Sequence, residues 1–284
     1  MSAAARPLNC LVIGKAKTGT TALAHLIQSE TGSSVLHMEP KGIREILPAL
    51  PEDDGYLSKI IFEHFRGRFR HLNAIIHNEL YAQYDKVVFI RRDIRDEMVS
   101  RLLYLAKIIA PGNHPESAWR EWIDVLREKE RSPGSLSFRE MCEKFQSIFG
   151  PNAWRDITNL HTDTEREFNN FISNSIKRDH AVVQYEDLID NNIDGLMEYF
   201  GHTFSGTMAD VELGKFAYTK RSGQYGGWRS FFLSQDVDDI RSILDRKGLD
   251  RFDDWDLEAA EALNPSDFSQ YVIRMSARPL EVFQ

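Results

Sequence analysis

The stretch from Asn9 to Thr21 constrains this chain more than any other. An apolar run, Asn9-Cys10-Leu11-Val12-Ile13, ends at Gly14 and is followed by a short loop carrying Lys15, Lys17 and Gly19. An apolar run of that length closed by glycine reads as a buried strand. From Thr21 onward Ala22, Leu23, Leu26 and Ile27 recur at helical spacing, until Ser29-Glu30-Thr31-Gly32 stops the pattern. A strand that feeds a helix in this way leaves the first amides of the helix without intrahelical partners, and such N–H groups bind anions. Gly19 lets the backbone approach an oxygen closely, Thr18, Thr20 and Thr21 add hydroxyls, and Lys17 adds a point charge. An anion site is therefore expected here, with a plain strand-to-helix turn as the competing reading.

Further strands are expected over residues 34–36, 73–76, 86–90 and 181–184, with helical patterns between and after them. Ile94, Met98, Leu102 and Leu105 mark one helix, and Trp119, Trp122 and Leu126 another. Phe138, Met141, Phe145 and Phe149 mark a third; Val237, Ile240 and Leu244 a fourth. Strands alternating with helices indicate the α/β class: a mostly parallel sheet flanked by helices, around a P-loop-like nucleotide-binding core. Residues 106–170 are almost all helix and loop and are expected to form a helical cap or insertion in one domain over residues 1–284. The Trp119/Trp122 and Phe138/Phe145 spacings read as core packing.

Composition removes several function classes. With 43 acidic against 35 basic residues the net charge is -8, which argues against broad nucleic-acid binding while leaving room for a local basic pocket. Cys10 and Cys142 are the only cysteines, far apart in sequence, which fits a reduced, cytoplasmic setting. Residues 1–9 have no apolar core of signal-peptide type, and no run approaches the ~20 apolar residues of a membrane span. No group of His, Cys and acids has metal-ligand spacing.

Three more segments stand out, two of them basic. Val87-Val88-Phe89-Ile90 runs into Arg91-Arg92-Asp93-Ile94-Arg95-Asp96 and, further along the helix, Ser100. The planar fork of arginine suits bidentate phosphate binding. Arg95 and Asp96 read as mutually neutralising charges on an exposed helix start. Lys220-Arg221-Ser222-Gly223-Gln224-Tyr225-Gly226-Gly227-Trp228-Arg229 is a glycine-rich basic loop, able to wrap a phosphate with backbone amides and arginine. Val183-Gln184-Tyr185-Glu186-Asp187-Leu188 ends a strand on an aromatic residue. The first loop departs from the nucleotide P-loop pattern, which has Lys then Ser or Thr after its last glycine where this chain has Thr20 and Thr21.

Lys17-Thr18-Gly19-Thr20-Thr21 resembles the P-K-S-G-T-T-W signature of the PAPS-dependent sulfotransferases, with Ala16, Thr18 and Ala22 in place of Pro, Ser and Trp. Arg92 and Ser100 keep the spacing of the family's 3′-phosphate arginine and serine. Arg221, Gly223, Gly226 and Trp228 match its R-K-G-x-x-G-D-W-K loop, where Ser222 stands for Lys. Tyr185-Glu186-Asp187-Leu188 is similar to its Y-E-D-L, whose tyrosine sits near adenine. The segments occur in the family's order from Lys17 to Trp228.

The resemblance implies 3′-phosphoadenosine 5′-phosphosulfate (PAPS) as sulfuryl donor and adenosine 3′,5′-bisphosphate as product. It implies cofactor contacts from Lys17, Thr18, Gly19, Thr20, Thr21, Arg92, Ser100, Tyr185, Arg221, Ser222 and Gly223, with Lys17 stabilising the leaving phosphate. A general base must take the acceptor's proton. His77, set at the end of the expected 73–76 strand where the family has K-T-H, is the candidate, and His37 and Glu39 are its rivals. The expected acceptor is a small neutral or cationic hydroxyl or amine, of natural-product type. Glu39, Glu79, Asp124 and Glu128 are its possible lining. The alternatives are a P-loop kinase or NTPase and a non-catalytic adenosine-phosphate binding module. The family's C-terminal K-T-V-E dimer signature has no counterpart after Phe232, which leaves monomer and dimer open.

Overall fold

The computed structural model describes residues 8–46, 55–79, 84–112, 114–208, 211 and 220–276, so the N-terminal residues 1–7 read above lie outside it. The chain divides into two compact units, Met1–Asp93 with Glu167–Phe216, and Ile94–Arg166 with Ala217–Gln284.

The first unit is built on a sheet of five strands, β1 (Cys10–Gly14), β2 (Ser34–Met38), β3 (Tyr56–Ile61), β4 (Lys86–Arg91) and β5 (Ala181–Gln184). Every pairing is parallel and the order is β2-β3-β1-β4-β5. Parallel sheets need cover on both faces, and alternate side chains supply two apolar surfaces. Leu11, Ile13, Ile60, Val87 and Phe89 pack against α2 (Phe69–Ile76) and against Phe168, Phe171 and Ile172 of α7 (Thr162–Ser175). Cys10, Val12, Leu57, Val88, Ile90 and Val183 pack against α1 (Thr20–Thr31), α8 (Tyr185–Ile189) and α9 (Asp194–Phe200). β2 and β3 lie on one side of β1, and β4 and β5 on the other. The winding thus reverses at β1, and open α/β sheets bind ligands beyond the strand ends at such a reversal. In register, Gly14 of β1 sits level with Ile61 of β3 and Ile90 of β4, so these three strands deliver their following loops at one edge.

One expected strand is absent. Residues 73–76 are the last turns of α2, with Leu72, Ile75 and Ile76 on its buried side. A four-residue apolar run fits a buried strand and a buried helix face equally well, and here the helix partner residues upstream decide it. The strand beside β1 is β3 instead. Its pattern was hidden by Ser58 and Lys59, polar residues that are fully buried in mid-strand.

The second unit is helical. It contains α3 (Ile94–Ile109), α4 (Glu116–Arg131), α5 (Phe138–Phe149), α6 (Ala153–Arg155) and a π-helical stretch (Asp156–His161) leading into α7. It is completed by α10 (Trp228–Phe231), α11 (Ser234–Arg246) and α12 (Ser269–Ser276). The helical region is thus wider than residues 106–170. Trp119, Trp122, Phe138 and Phe145 are wholly buried in its core, where Trp122 meets Phe145 edge-on at 5.1 Å. Among the described residues no helix is long and apolar enough to cross a membrane. Cys10 and Cys142 are buried free thiols, and burial pushes Cys10 up to about 12.

Two helix starts of the second unit share one carboxylate. Asp236, buried in the first turn of α11, accepts from Phe138 N (2.8 Å) and Arg139 N (3.2 Å) of α5 and from Leu233 N (2.9 Å). Helix N-termini need such acceptors, and a buried amide left without one costs about 1–3 kcal/mol. Asp236→Ala is therefore expected to lower the unfolding free energy by at least that amount in a urea titration. An unchanged midpoint would contradict this role.

Candidate functional site

The turn between β1 and α1 passes through two residues of positive φ. Lys17 and Gly19 take left-handed conformations, φ 75° and 88°. Gly19 is the N-cap of α1 and brings no side-chain cap, and the first turn carries no acid. Leu23 N donates to Gly19 O (3.0 Å), so the amides before it precede the first intrahelical bond. Thr18 is buried and its hydroxyl donates to Lys15 O (2.8 Å), closing the turn.

Two further segments meet this loop. A Cβ at Gly19 would lie 2.5 Å from the Tyr185 ring, so only glycine admits the contact. The Arg92 guanidinium stacks over that ring at 4.4 Å and donates to Lys17 O (3.2 Å). Beside them Glu186 accepts from Asp93 N (2.9 Å), and burial raises its pKa. The ends of β1, β4 and β5 are thereby tied, bringing together Lys17, Thr18, Gly19, Thr20, Thr21, Arg92 and Tyr185, which come from three separate segments of the sequence.

The tips of β2 and β3 add Lys59, Glu63 and His64, which the sequence pattern did not single out, beside Glu39 and His37, which it did. Lys59 of β3 is 1 % exposed, and its Nζ donates to Thr21 Oγ1 (2.6 Å) and to Glu39 Oε1 (2.5 Å). Burial lowers the pKa of Lys59, and the Glu39 carboxylate opposes that shift. Glu39 itself has φ 60°, its side chain is 42 % exposed, and its N–H donates to Lys59 O (2.9 Å). A non-glycine residue held at positive φ is strained, and such strain concentrates at functional sites. Just past β3, both carboxylate oxygens of Glu63 accept from Ala16 N (3.0 and 3.1 Å). The next residue, His64, has Nδ1 3.3 Å from Pro40 O. His37 pairs through Nδ1 with Ser58 Oγ (3.0 Å), and burial lowers its pKa.

His77 stands elsewhere. It is the C-cap of α2 and does not end a strand. Its Nδ1 lies 2.8 Å from Asn73 O and its Nε2 accepts from Lys177 N (3.1 Å). A carbonyl only accepts and an amide only donates, so both ring nitrogens are engaged in holding the chain. Glu79 is exposed just after α2. Asp124 and Glu128 lie on the exposed face of α4, where Asp124 pairs with Arg127. Among the described residues no three of His, Cys, Asp and Glu are grouped closely enough to hold a metal ion.

The second unit carries the remaining residues. Ser100 is buried on α3. Arg95 and Asp96 are not the exposed, mutually neutralising pair expected. Arg95 is 4.0 Å over the rings of Trp228 and Phe252 and bonds Asp254 O. Asp96 is fully buried and accepts from Gly226 N (2.6 Å) and Trp228 N (3.2 Å), so it anchors the glycine-rich loop to the start of α3. In that loop Gly223 and Gly226 have φ 69° and 77°. Ser222 Oγ accepts from Gln224 N (3.1 Å), and the Arg221 guanidinium lies 6.0 Å over Phe268.

No family model matches this chain, and no curated protein sequence is significantly similar to it. Solved structures do match. Mouse sulfotransferase SULT7A1 complexed with PAP is 14% identical, with 87% of this chain and 86% of that one covered and a TM-score of 0.46. Retinol dehydratase in complex with androsterone and inactive cofactor PAP is 13% identical, with 88% and 83% covered and a TM-score of 0.44.

Proposed function

We propose that this chain is a sulfotransferase that moves a sulfuryl group from PAPS to a hydroxyl or amine of a small molecule. The observation that carries the reading is the meeting of the Lys17–Thr21 loop, Arg92 and Tyr185 at the ends of β1, β4 and β5. The resemblance assigns these segments to one cofactor, and in the fold they lie against one another. The donor set fits the cofactor's 5′ side: an uncapped helix start, the hydroxyls of Thr20 and Thr21 and Lys17 are all donors or cations, and Arg92, counterpart of the family's 3′-phosphate arginine, lies beside them.

PAPS, when bound, supplies the sulfuryl group. The protein's task is to align it and to stabilise charge on the leaving phosphate. Lys17 does the latter, a contribution of the kind worth ~3–4 kcal/mol. Arg92 and Ser100 are assigned to the 3′-phosphate, and Arg221, Ser222 and Gly223 to the cofactor, on the resemblance alone.

The general base is Glu39. His77 is engaged through both ring nitrogens, whereas Glu39 presents a half-exposed carboxylate joined through Lys59 to Thr21 of the loop. It takes the proton of the acceptor's hydroxyl or amine as the new bond to sulfur forms. A carboxylate at this point and the chain's excess acid favour a neutral or cationic acceptor, natural products among them, over anionic glycans.

The cofactor assignment is tested by titrating adenosine 3′,5′-bisphosphate. Arg92→Ala and Arg221→Ala are each expected to weaken binding about 10- to 100-fold, the loss of one charge-assisted contact. Gly19→Ala should abolish it through the Tyr185 clash, and unchanged affinity in all three would overturn the site. The base is tested on a panel of small hydroxyl and amine acceptors. Glu39→Gln should lower turnover ~10²–10⁴-fold with bisphosphate binding retained, while His77→Ala stays close to wild type; the reverse pattern restores His77. Turnover should also survive a strong chelator. Loss of activity to the chelator and its return with magnesium would favour a kinase.

A further inference from the structure

We propose that Lys59 is a positioning residue that prepares the phosphate loop for its anion through two neighbours, turning the Thr21 hydroxyl into an outward donor and neutralising Glu39. The inference rests on reading the loop as the PAPS site. An ammonium buried to this degree is unfavourable unless its donors are matched, and Lys59 meets Thr21 and Glu39 with two of its three.

The polarity of the contact with Thr21 is decided by chemistry. Lysine has donors and no acceptor, so the Thr21 oxygen must accept from Nζ. Its own hydrogen is then directed away from Lys59, and the hydroxyl has no other partner among the described residues. Standing in the first turn of α1, it is left to donate to an oxygen arriving at the loop. The contact with Glu39 acts on the same anion. A carboxylate one lysine away from the loop would repel a phosphate, and the shared ammonium cancels that field. One cation therefore keeps a carboxylate charged next to a site that must accept negative charge.

The position of Lys59 is fixed by the sheet. It pairs with Met38 across β2 and β3, and its carbonyl holds the Glu39 amide, so backbone and side chain fix Glu39 together.

The test is calorimetric titration of adenosine 3′,5′-bisphosphate into the full chain and its variants, with melting curves to establish folding. Lys59→Met is expected to weaken binding about tenfold or more, the scale of a lost charged hydrogen bond. Adding Thr21→Val to Lys59→Met should cost little further, because the hydroxyl's orientation is already lost. Adding Glu39→Gln to Lys59→Met should restore much of the affinity, and Glu39→Gln alone should tighten binding about threefold by freeing the ammonium. A folded Lys59→Met with unchanged affinity, or losses that simply add, would overturn the proposal. If Lys59→Met does not fold, Glu39→Gln decides, and unchanged or weaker binding by that variant overturns it. A wild-type chain that does not bind the bisphosphate would overturn the functional reading, and this inference with it. Binding by the wild type with the wrong variant pattern would overturn this inference alone.

Discussion

The unpaired amides at the start of α1 are the feature on which the rest of the first unit depends. β1 brings the chain to the point where the sheet's winding reverses, and Gly19 begins the helix with no side chain to satisfy its first N–H groups. Gly19 also leaves room for Tyr185, and the Tyr185 ring carries Arg92. A larger residue at this one position would push the loop away from β5 and remove the seat of the arginine. The in-register ends of β1, β3 and β4 explain why residues so far apart in sequence arrive together.

Charge is arranged around that loop in two tiers. Lys17 belongs to the loop and Arg92, at the end of β4, is bonded to it, while Lys59 and Glu39 stand beside it as an ion pair. The pair lets a carboxylate stand close to the start of α1 at small electrostatic cost. In the second unit Asp96 performs a comparable holding task, fixing the glycine-rich loop by two backbone amides. Both carboxylates act through what they hold as much as through their own charge.

How much of this was legible in the sequence depends on how local each signal is. β1, its loop and α1 could be read because strand, glycine and helix periodicity lie within one continuous stretch. β3 could not be read as a strand, since Ser58 and Lys59 break its apolar run, and they are polar because of partners in β2 and α1. Residues 73–76 looked like a strand because a short apolar run carries no period of its own, and His77 was therefore placed at a strand end when it caps α2. Lys59 was invisible for the same reason as β3: its meaning lies in Thr21 and Glu39, on other elements. Arg95 and Asp96 followed the pattern of a solvated helix start, and only the fold of the second unit buries them.

In the proposed site the amides of Gly19, Thr20 and Thr21 face an adenosine bisphosphate. Amide-resolved NMR of the isotope-labelled chain, titrated with adenosine 3′,5′-bisphosphate and separately with magnesium ATP, reads this contact. The largest saturable shifts are expected at Gly19, Thr20 and Thr21 with the bisphosphate, and much smaller ones with magnesium ATP. Shifts centred elsewhere in the chain, or a stronger response of these amides to magnesium ATP, would contradict it.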